Sequence, residues 1–490
     1  MPLETVELND SFSINHTLAY SIIALQQMNM AYKFPSVFWN TACLIVESKG
    51  TDEIGDWTSD YETGIYENGS DFEDEEDDDE EEEDEEEKRK NKTVNYGKIS
   101  SAIGKMKEYG ITVGLPDINK SDFTFTPDIM GDKIIFGIKG ITKINSKIAK
   151  EIIEKRPYTS FNDFREKVKL SILPLINLIK SGCFDEIEEK SRKELLWEIL
   201  KERSKPKEKL TLANVPMLYK YNLIPEDCIK ERKVFFYHKA LLKLKKEDII
   251  WFTADTLAFF EENFGSDNIQ FSNGKAFIEE KEWKKLYNPQ VARLKKRLKE
   301  DDDIIEKLNQ KLFEEQIEKY GKGNLFKWEM DSVSFYHSGH ELDKINNEKY
   351  EISNFFEMPE TAVVERTLNI KGKKIPLLEL NRIAGTVLEK NKPKNLLIIS
   401  TVYGVVEVKI WKAQFAKYDK QLFKKLPNGK KKVIEKSWFS RGNKLLITGV
   451  RRGDVFIPKI YKSSKYSRPI ELILDVEEDG TLITKGERAE

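Results

Sequence analysis

The apolar positions of this chain change period several times, and each change marks a different kind of element. Over residues 12–39, Leu18, Ile22, Leu25 and Met28 recur at helical spacing and Pro35 closes the run, the pattern of a core helix. Residues 98–109 predict an amphipathic helix stopped by Gly110, followed by a short strand at 111–113 and by Phe123 and Phe125 at alternating spacing. Over 136–156 the apolar positions Ile141, Ile144 and Ala149 surround a tight turn, and a helix starts near Ser146. Residues 189–326 read as helical and are rich in Lys, Glu and aromatics. Two stretches stand out there: 241–251, and 289–317, whose heptad-like spacing predicts a long amphipathic or paired helix.

The last part of the chain turns to strands. Runs at 381–388, 396–400 and 404–410 precede a helix-like segment at 412–423, and two more strand-like runs follow at 444–450 and 454–461. Three strands, a helix, then two strands is the order of an OB-fold barrel. The expected fold class is therefore multidomain α+β: a mainly helical N-terminal two-thirds containing a helix-hairpin-helix unit, and a C-terminal OB-fold β-barrel.

Charge adds a division that periodicity does not show. The formal net charge of the 490-residue chain is -4, but residues 71–87 hold 16 acids among 17 positions, so the rest carries +12. Over 371–470 there are 25 Lys+Arg against 6 Asp+Glu, a surplus of +19. One segment repels polyanions and another attracts them. The acidic run reads as a solvated loop, or as a nucleic-acid mimic that occupies the basic domain until DNA displaces it. Three cysteines, Cys43, Cys183 and Cys228, have no C-x-x-C spacing, which argues against a disulfide framework or a zinc site. With no signal-peptide layout and no apolar run of membrane-spanning length, a soluble cytoplasmic chain without a membrane partner is expected.

The candidate chemistry is that of nucleic-acid binding. In a helix-hairpin-helix, backbone N–H groups at the start of the second helix hold a DNA phosphate without reading bases. Lys143, Asn145, Ser146 and Lys147 occupy that position here. Lys143 and Asn145 stand where the two hairpin glycines belong; Asn tolerates the left-handed backbone of a hairpin and Lys brings charge. A hairpin kept only for packing is the competing reading. In the barrel, Lys392, Lys394, Tyr403, Lys409 and Trp411 lie on or beside strands two and three, with Arg451 and Arg452 on the later hairpin. That face of an OB barrel binds single strands by basic tracking and aromatic stacking. The loop at 424–436 is basic as well. His337 and His340 have H-x-x-H spacing but no third ligand nearby, so a structural histidine is expected and no metal is assigned.

Several ordered motifs carry a family resemblance. Phe12, His16, Ala19, Tyr20, Gln26, Pro35 and Phe38 come first, then Pro116-Asp117-Ile118-Asn119-Lys120-Ser121. The hairpin region follows, with Phe136-Gly137-Ile138-Lys139-Gly140, Phe161-Asn162-Asp163-Phe164 and Leu178-Ile179-Lys180-Ser181-Gly182-Cys183-Phe184-Asp185; last come Glu329, Tyr336, Ser338, Gly339, His340 and Leu342. In this order they resemble the C-terminal portion of bacterial and phage replicative DNA polymerases of family C, the DNA polymerase III alpha subunit. Departures are Ile14 and Ala31 in place of lysines, Ser334 in place of a glycine and Glu341 in place of a proline.

The resemblance implies the following layout: the C-terminal part of the fingers over 1–69, an acidic insertion over 70–92, and the rest of the fingers over 93–135. The helix-hairpin-helix unit then covers 136–188, a divergent helical region 189–375, the OB-fold 376–475, and a tail 476–490. It places His16 and Tyr20 near the incoming nucleotide. It also suggests a sliding clamp as a further partner, bound at Gln310, Leu312 and Phe313, for which core packing is the alternative; Gly323-Asn324-Leu325-Phe326 is a poorer match. No pair of carboxylates in a strand context matches the catalytic palm, since Asn119 stands where a P-D-x-D motif needs its second acid. No catalytic residue or cofactor is therefore assigned to this chain. Mg and dNTPs are implied only for an assembled polymerase whose palm is carried by another chain, in a bacterial cytoplasm or that of a phage's host. The partners implied are that chain and DNA, duplex and single-stranded. A stand-alone DNA-binding accessory protein and an interaction protein with an acidic DNA-mimic segment are the alternatives.

Overall fold

The computed structural model describes residues 3–33, 36–48, 96–128, 133–370, 373–425, 431–462 and 465–488. The acidic run at 71–87 and Pro35 lie outside them, as does the middle of the basic loop. Two compact units are formed, one from residues 1–192 with 323–490 and one from 193–322.

The first unit opens with helix α1 (Leu3–Lys33) and helix α2 (Ser36–Ser48). The periodicity of α1 predicts a core helix, yet every side chain from His16 to Asn29 is exposed, Leu18 at 56% and Met28 at 69%. No described residue covers it. Helix α2 behaves as its pattern requires, burying Val37, Thr41 and Leu44 at one-turn spacing. Helix α3 (Tyr96–Glu108) ends as predicted at Gly110, whose φ of 77° is the left-handed stop that glycine adopts readily. A small sheet follows, Thr112–Gly114 pairing parallel to Lys133–Ile135, which pairs antiparallel to Thr126–Asp128.

The C-terminal strands close a barrel. Strand β1 (Asn381–Asn391) pairs with β2 (Leu396–Thr401), β2 with β3 (Gly404–Lys409), and β3 runs parallel to β5 (Val455–Pro458). Strand β5 pairs with β4 (Lys444–Arg452), which returns to β1. A bulge between Val387 and Glu389 bends β1, so that one strand serves both β4 and β2 and the sheet can curl shut. Ile383, Val387, Leu397, Val406, Leu445 and Phe456 fill the interior. The order of elements is that expected of an OB-fold. The helix after β3 is shorter than its pattern suggests: it spans Lys412–Asp419, and Leu422–Lys425 and Lys431–Glu435 instead form a separate two-stranded ribbon. A final hairpin, Ile470–Val476 with Leu482–Lys485, extends the sheet beyond β4.

The second unit is helical with a four-stranded sheet. Two sequence expectations change here. Residues 241–251 are not one helix: the helix Ile229–Leu242 ends there, Glu247 takes a left-handed φ of 52°, and Ile249–Trp251 pairs with Lys275–Glu279. The β-branched and aromatic Ile249-Ile250-Trp251 favours a strand over a helix. The 289–317 stretch is two helices, Glu280–Lys299 and Asp302–Gln316, broken where the Asp301 carboxylate accepts the Ile304 N–H and caps the second.

Candidate nucleic-acid interface

The hairpin is built from residues that fix its backbone. Lys143 carries φ 64°, so the left-handed turn falls on the lysine and not on Asn145, contrary to the expectation that asparagine supplies it. Asn145 is extended and caps helix α4 (Ser146–Glu154), its Oδ1 accepting the Ile148 N–H at 2.8 Å. Thr142 pins the turn from behind: its N–H donates to Ser332 O (2.9 Å) and its hydroxyl to Asp331 O (3.0 Å). Ile141, Ile144 and Ala149 are buried beneath, while Lys143, Asn145, Lys147 and Lys150 face solvent. The first-turn N–H groups at Ser146 and Lys147 have no intrahelical acceptor by the geometry of a helix start, and the helix dipole favours an anion there.

The P-D-I-N-K-S segment ties the hairpin region together through its own side chains. Asp117 Oδ1 accepts the N–H groups of Asn119 (2.8 Å) and Lys120 (3.0 Å). The Asn119 amide then clasps Tyr158, donating to its carbonyl and accepting from its N–H, both at 2.8 Å. Arg156 adds bonds from its guanidinium to Ile118 O and Ser121 O. Farther on, Glu329 is fully buried and compensated: Arg192 lies at 3.2 Å, the His337 and Ser338 N–H groups donate at 3.0 and 2.9 Å, and the Ser338 hydroxyl at 2.6 Å. Ser334, which stands where the resemblance has a glycine, keeps a left-handed φ of 73° and accepts a bond from half-buried Arg441 at 2.6 Å. His340 Nδ1 accepts the Leu342 N–H at 3.1 Å and its Nε2 faces Ser400 O at 3.1 Å, so the neutral ring donates through Nε2. Burial lowers its pKa to about 4. Among the described residues no group of His, Cys, Asp or Glu is set to hold a metal ion.

The barrel divides the predicted site residues between two ends. At one end, in the β1–β2 turn and at the end of β3, lie Lys392, Lys394, Lys409 and Trp411; Trp411 is 73% exposed and Lys409 donates to Lys394 O. Lys392 shares the Asp419 carboxylate, at 3.5 Å, with Lys390 at 3.0 Å. At the other end Tyr403, in the β2–β3 turn, and Arg451 line a cleft of about 520 Å³ together with Asn381, Glu357 and Glu379. The Arg451 guanidinium is committed there to the carbonyls of Phe355, Phe356 and Met358 and lies over the Phe355 ring, while Arg452 is exposed.

Between the two ends, the outer face of β2 and β3 is not open. Helix α3 lies against it, near enough that a Cβ on Gly104 would stand 2.0 Å from Val405 Cγ2, and Leu388 and Ile398 bury against Met330. The unbroken apolar run Leu396-Leu397-Ile398-Ile399 is the signal for this, because a strand covered on both faces loses its alternation.

The remaining predicted residues lie apart. His16 and Tyr20 meet edge-to-face on exposed α1, ring centroids 4.6 Å apart. Gln310, Leu312 and Phe313 lie within the helix Asp302–Gln316, with Leu312 in the core of the second unit and Gln310 bonded to Glu314 at 3.0 Å.

Residues 110–195 match the helix-hairpin-helix family model. The chain is 38% identical to the probable DNA polymerase YorL of Bacillus subtilis (strain 168) over 98% of its own length and 35% of that protein's. The same figures hold for a DNA-directed DNA polymerase of Bacillus phage SPbeta. A shorter match, 37% identical over 21% of this chain and 10% of the relative, is to the DNA polymerase III subunit alpha of Aquifex aeolicus (strain VF5). The chain thus spans about a third of the length of the first two relatives. Among the described residues no helix is long and apolar enough to cross a membrane.

Proposed function

We propose, from kinship with the C-terminal portion of family C DNA polymerases, that this chain is the non-palm part of such an enzyme. It completes the fingers and holds duplex and single-stranded template, while the catalytic carboxylates come from another chain. The observation that carries this reading is helix α1. A 31-residue helix whose apolar side chains Leu18, Ile22, Leu25 and Met28 all stand in water has the form of half an interface, and its His16 and Tyr20 are in register with the fingers motif. On this reading Mg and dNTPs belong to the assembled enzyme, at carboxylates the other chain supplies.

The chain's own work is to grip DNA through its backbone. The Thr142 anchor and the Asn145 cap hold the first-turn N–H groups of α4 toward solvent, and Lys143 and Lys147 add charge beside them, which suits a phosphate and reads no bases. Lys392, Lys394, Lys409 and Trp411 form a second basic edge with one stacking ring. The test is capture of the full chain from its native cell, with nuclease treatment and mass spectrometry. Recovery of a stoichiometric palm-bearing chain supports the proposal. Recovery of no such chain, with DNA binding by the protein alone, would make it an accessory factor instead.

A further inference from the structure

The ribbon formed by Leu422–Lys425 and Lys431–Glu435 pairs with no other strand of the described structure. A two-stranded ribbon on its own is marginal in water, and this one is built against its own stability. Its register sets Lys424 opposite Lys432 and Lys425 opposite Lys431, and like charges directly opposed across a pair are destabilising. From Lys420 to Ile434 there are six lysines and no acid. Phe423 and Ile434 are left about half exposed.

The root of the ribbon, in contrast, is held tightly. Its one carboxylate, Glu435, is buried at the base, where it accepts the Trp438 indole N–H at 2.6 Å and pairs with Lys485 at 2.9 Å. Arg488 ties both ends of the excursion together, donating to Lys417 O and Tyr418 O on the helix side and to Lys436 O on the other. Asp419 accepts from the Ser437 hydroxyl and from Lys390 at the same place. Anchored acids at the base and a run of lysines without an acid along the strands describe a basic arm rooted in the barrel.

We propose that this ribbon is an arm that binds duplex DNA, entering the groove and neutralising phosphates on its two sides. A two-stranded β-ribbon fits the major groove. Strand alternation assigns Lys424 and Lys432 to one face and Lys425 and Lys431 to the other, so charge is available to both backbones that flank a groove, whereas a single strand can pass along only one face. Phosphate contact also relieves the lysine–lysine opposition that the free ribbon bears. The inference rests on the reading that the chain binds DNA, and adds where the duplex is gripped beyond the hairpin.

Fluorescence anisotropy of the full chain with a duplex of about 30 base pairs and with a single strand of the same length, titrated across about 50 to 300 mM salt, tests it. In the combined Lys424→Gln, Lys425→Gln, Lys431→Gln, Lys432→Gln variant, the slope of log affinity against log salt should shrink by about 3 to 4 for duplex, near 0.9 per lost contact, with a smaller change for the single strand. Thermal melting should show no loss of stability, because opposed charges have been removed. If that variant unfolds, Lys424→Glu alone should still lower the duplex slope by about 1 or more. A duplex slope equal to the parent's, or an equal loss on single strand and duplex, overturns the proposal. A parent chain that binds neither DNA removes the underlying reading as well, a different result from a parent that binds and a variant that binds alike.

Discussion

Lys143 shows how much a single position can combine. Its left-handed φ of 64° is one that a side chain tolerates poorly, so Lys143→Gly should leave stability unchanged or raise it by up to about 1 kcal/mol in chemical denaturation. The same change should lower the salt slope of DNA binding by about 0.9, because one charge beside the α4 N-terminus is gone. Glu329 is the opposite case: Glu329→Ala leaves buried Arg192 without one of its two carboxylates and should cost about 3 to 5 kcal/mol. His340 gives a pH dependence. Its folded pKa, about 4, lies below the ordinary 6.5, so the unfolded chain takes up the proton first as pH falls. The stability it contributes is fully present above about pH 6.5 and is lost progressively down to about pH 4, up to about 3 kcal/mol. Urea melts across that window should lose this component in His340→Gln. The sequence marks these residues by type and motif but not by partner. The lysine in the hairpin was legible, whereas Arg451, expected from its charge to contact DNA, is spent on four backbone carbonyls, of which those of Phe355, Phe356 and Met358 are revealed by no local pattern.

Among the elements, the barrel was the most legible because its strand-like runs and their order specify it almost alone. What the pattern did not place is what lies on the barrel. Helix α3 covers the outer face of β2 and β3, and the contact is close enough at Gly104 that a methyl group would meet Val405. Gly104→Ala should destabilise by about 1 to 3 kcal/mol, and a second change, Val405→Ala, should recover part of that loss in a double-mutant cycle. Long-range cover of this kind is a tertiary property; only the broken alternation at Leu396–Ile399 hints at it. Helix breaks were missed for a simpler reason. An Asp301 cap interrupts a pattern that remains helical on both sides by composition, and a left-handed Glu247 turns the chain from a helix into a three-residue strand too short for its period to stand out.

At the scale of the whole molecule, two features are left without a counterpart among the described residues. Helix α1 exposes apolar positions that its periodicity assigns to a core, and residues 371–470 carry a surplus of positive charge. On the proposed reading, a palm-bearing chain covers the first and DNA neutralises the second. The acidic run at 71–87 lies outside the described residues, and its charge alone offers an internal competitor for the basic surface; deleting it should tighten DNA binding at low salt if it competes, and leave binding unchanged if it is a solvated connector. The most direct measurement is primer extension with Mg and dNTPs, using the chain alone, a palm-bearing chain from the same cell alone, and the two mixed. Synthesis only in the mixture, abolished when Leu18, Ile22 and Leu25 of α1 are changed together to serine, is the predicted result. Synthesis by the palm-bearing chain alone at the rate of the mixture would contradict the account.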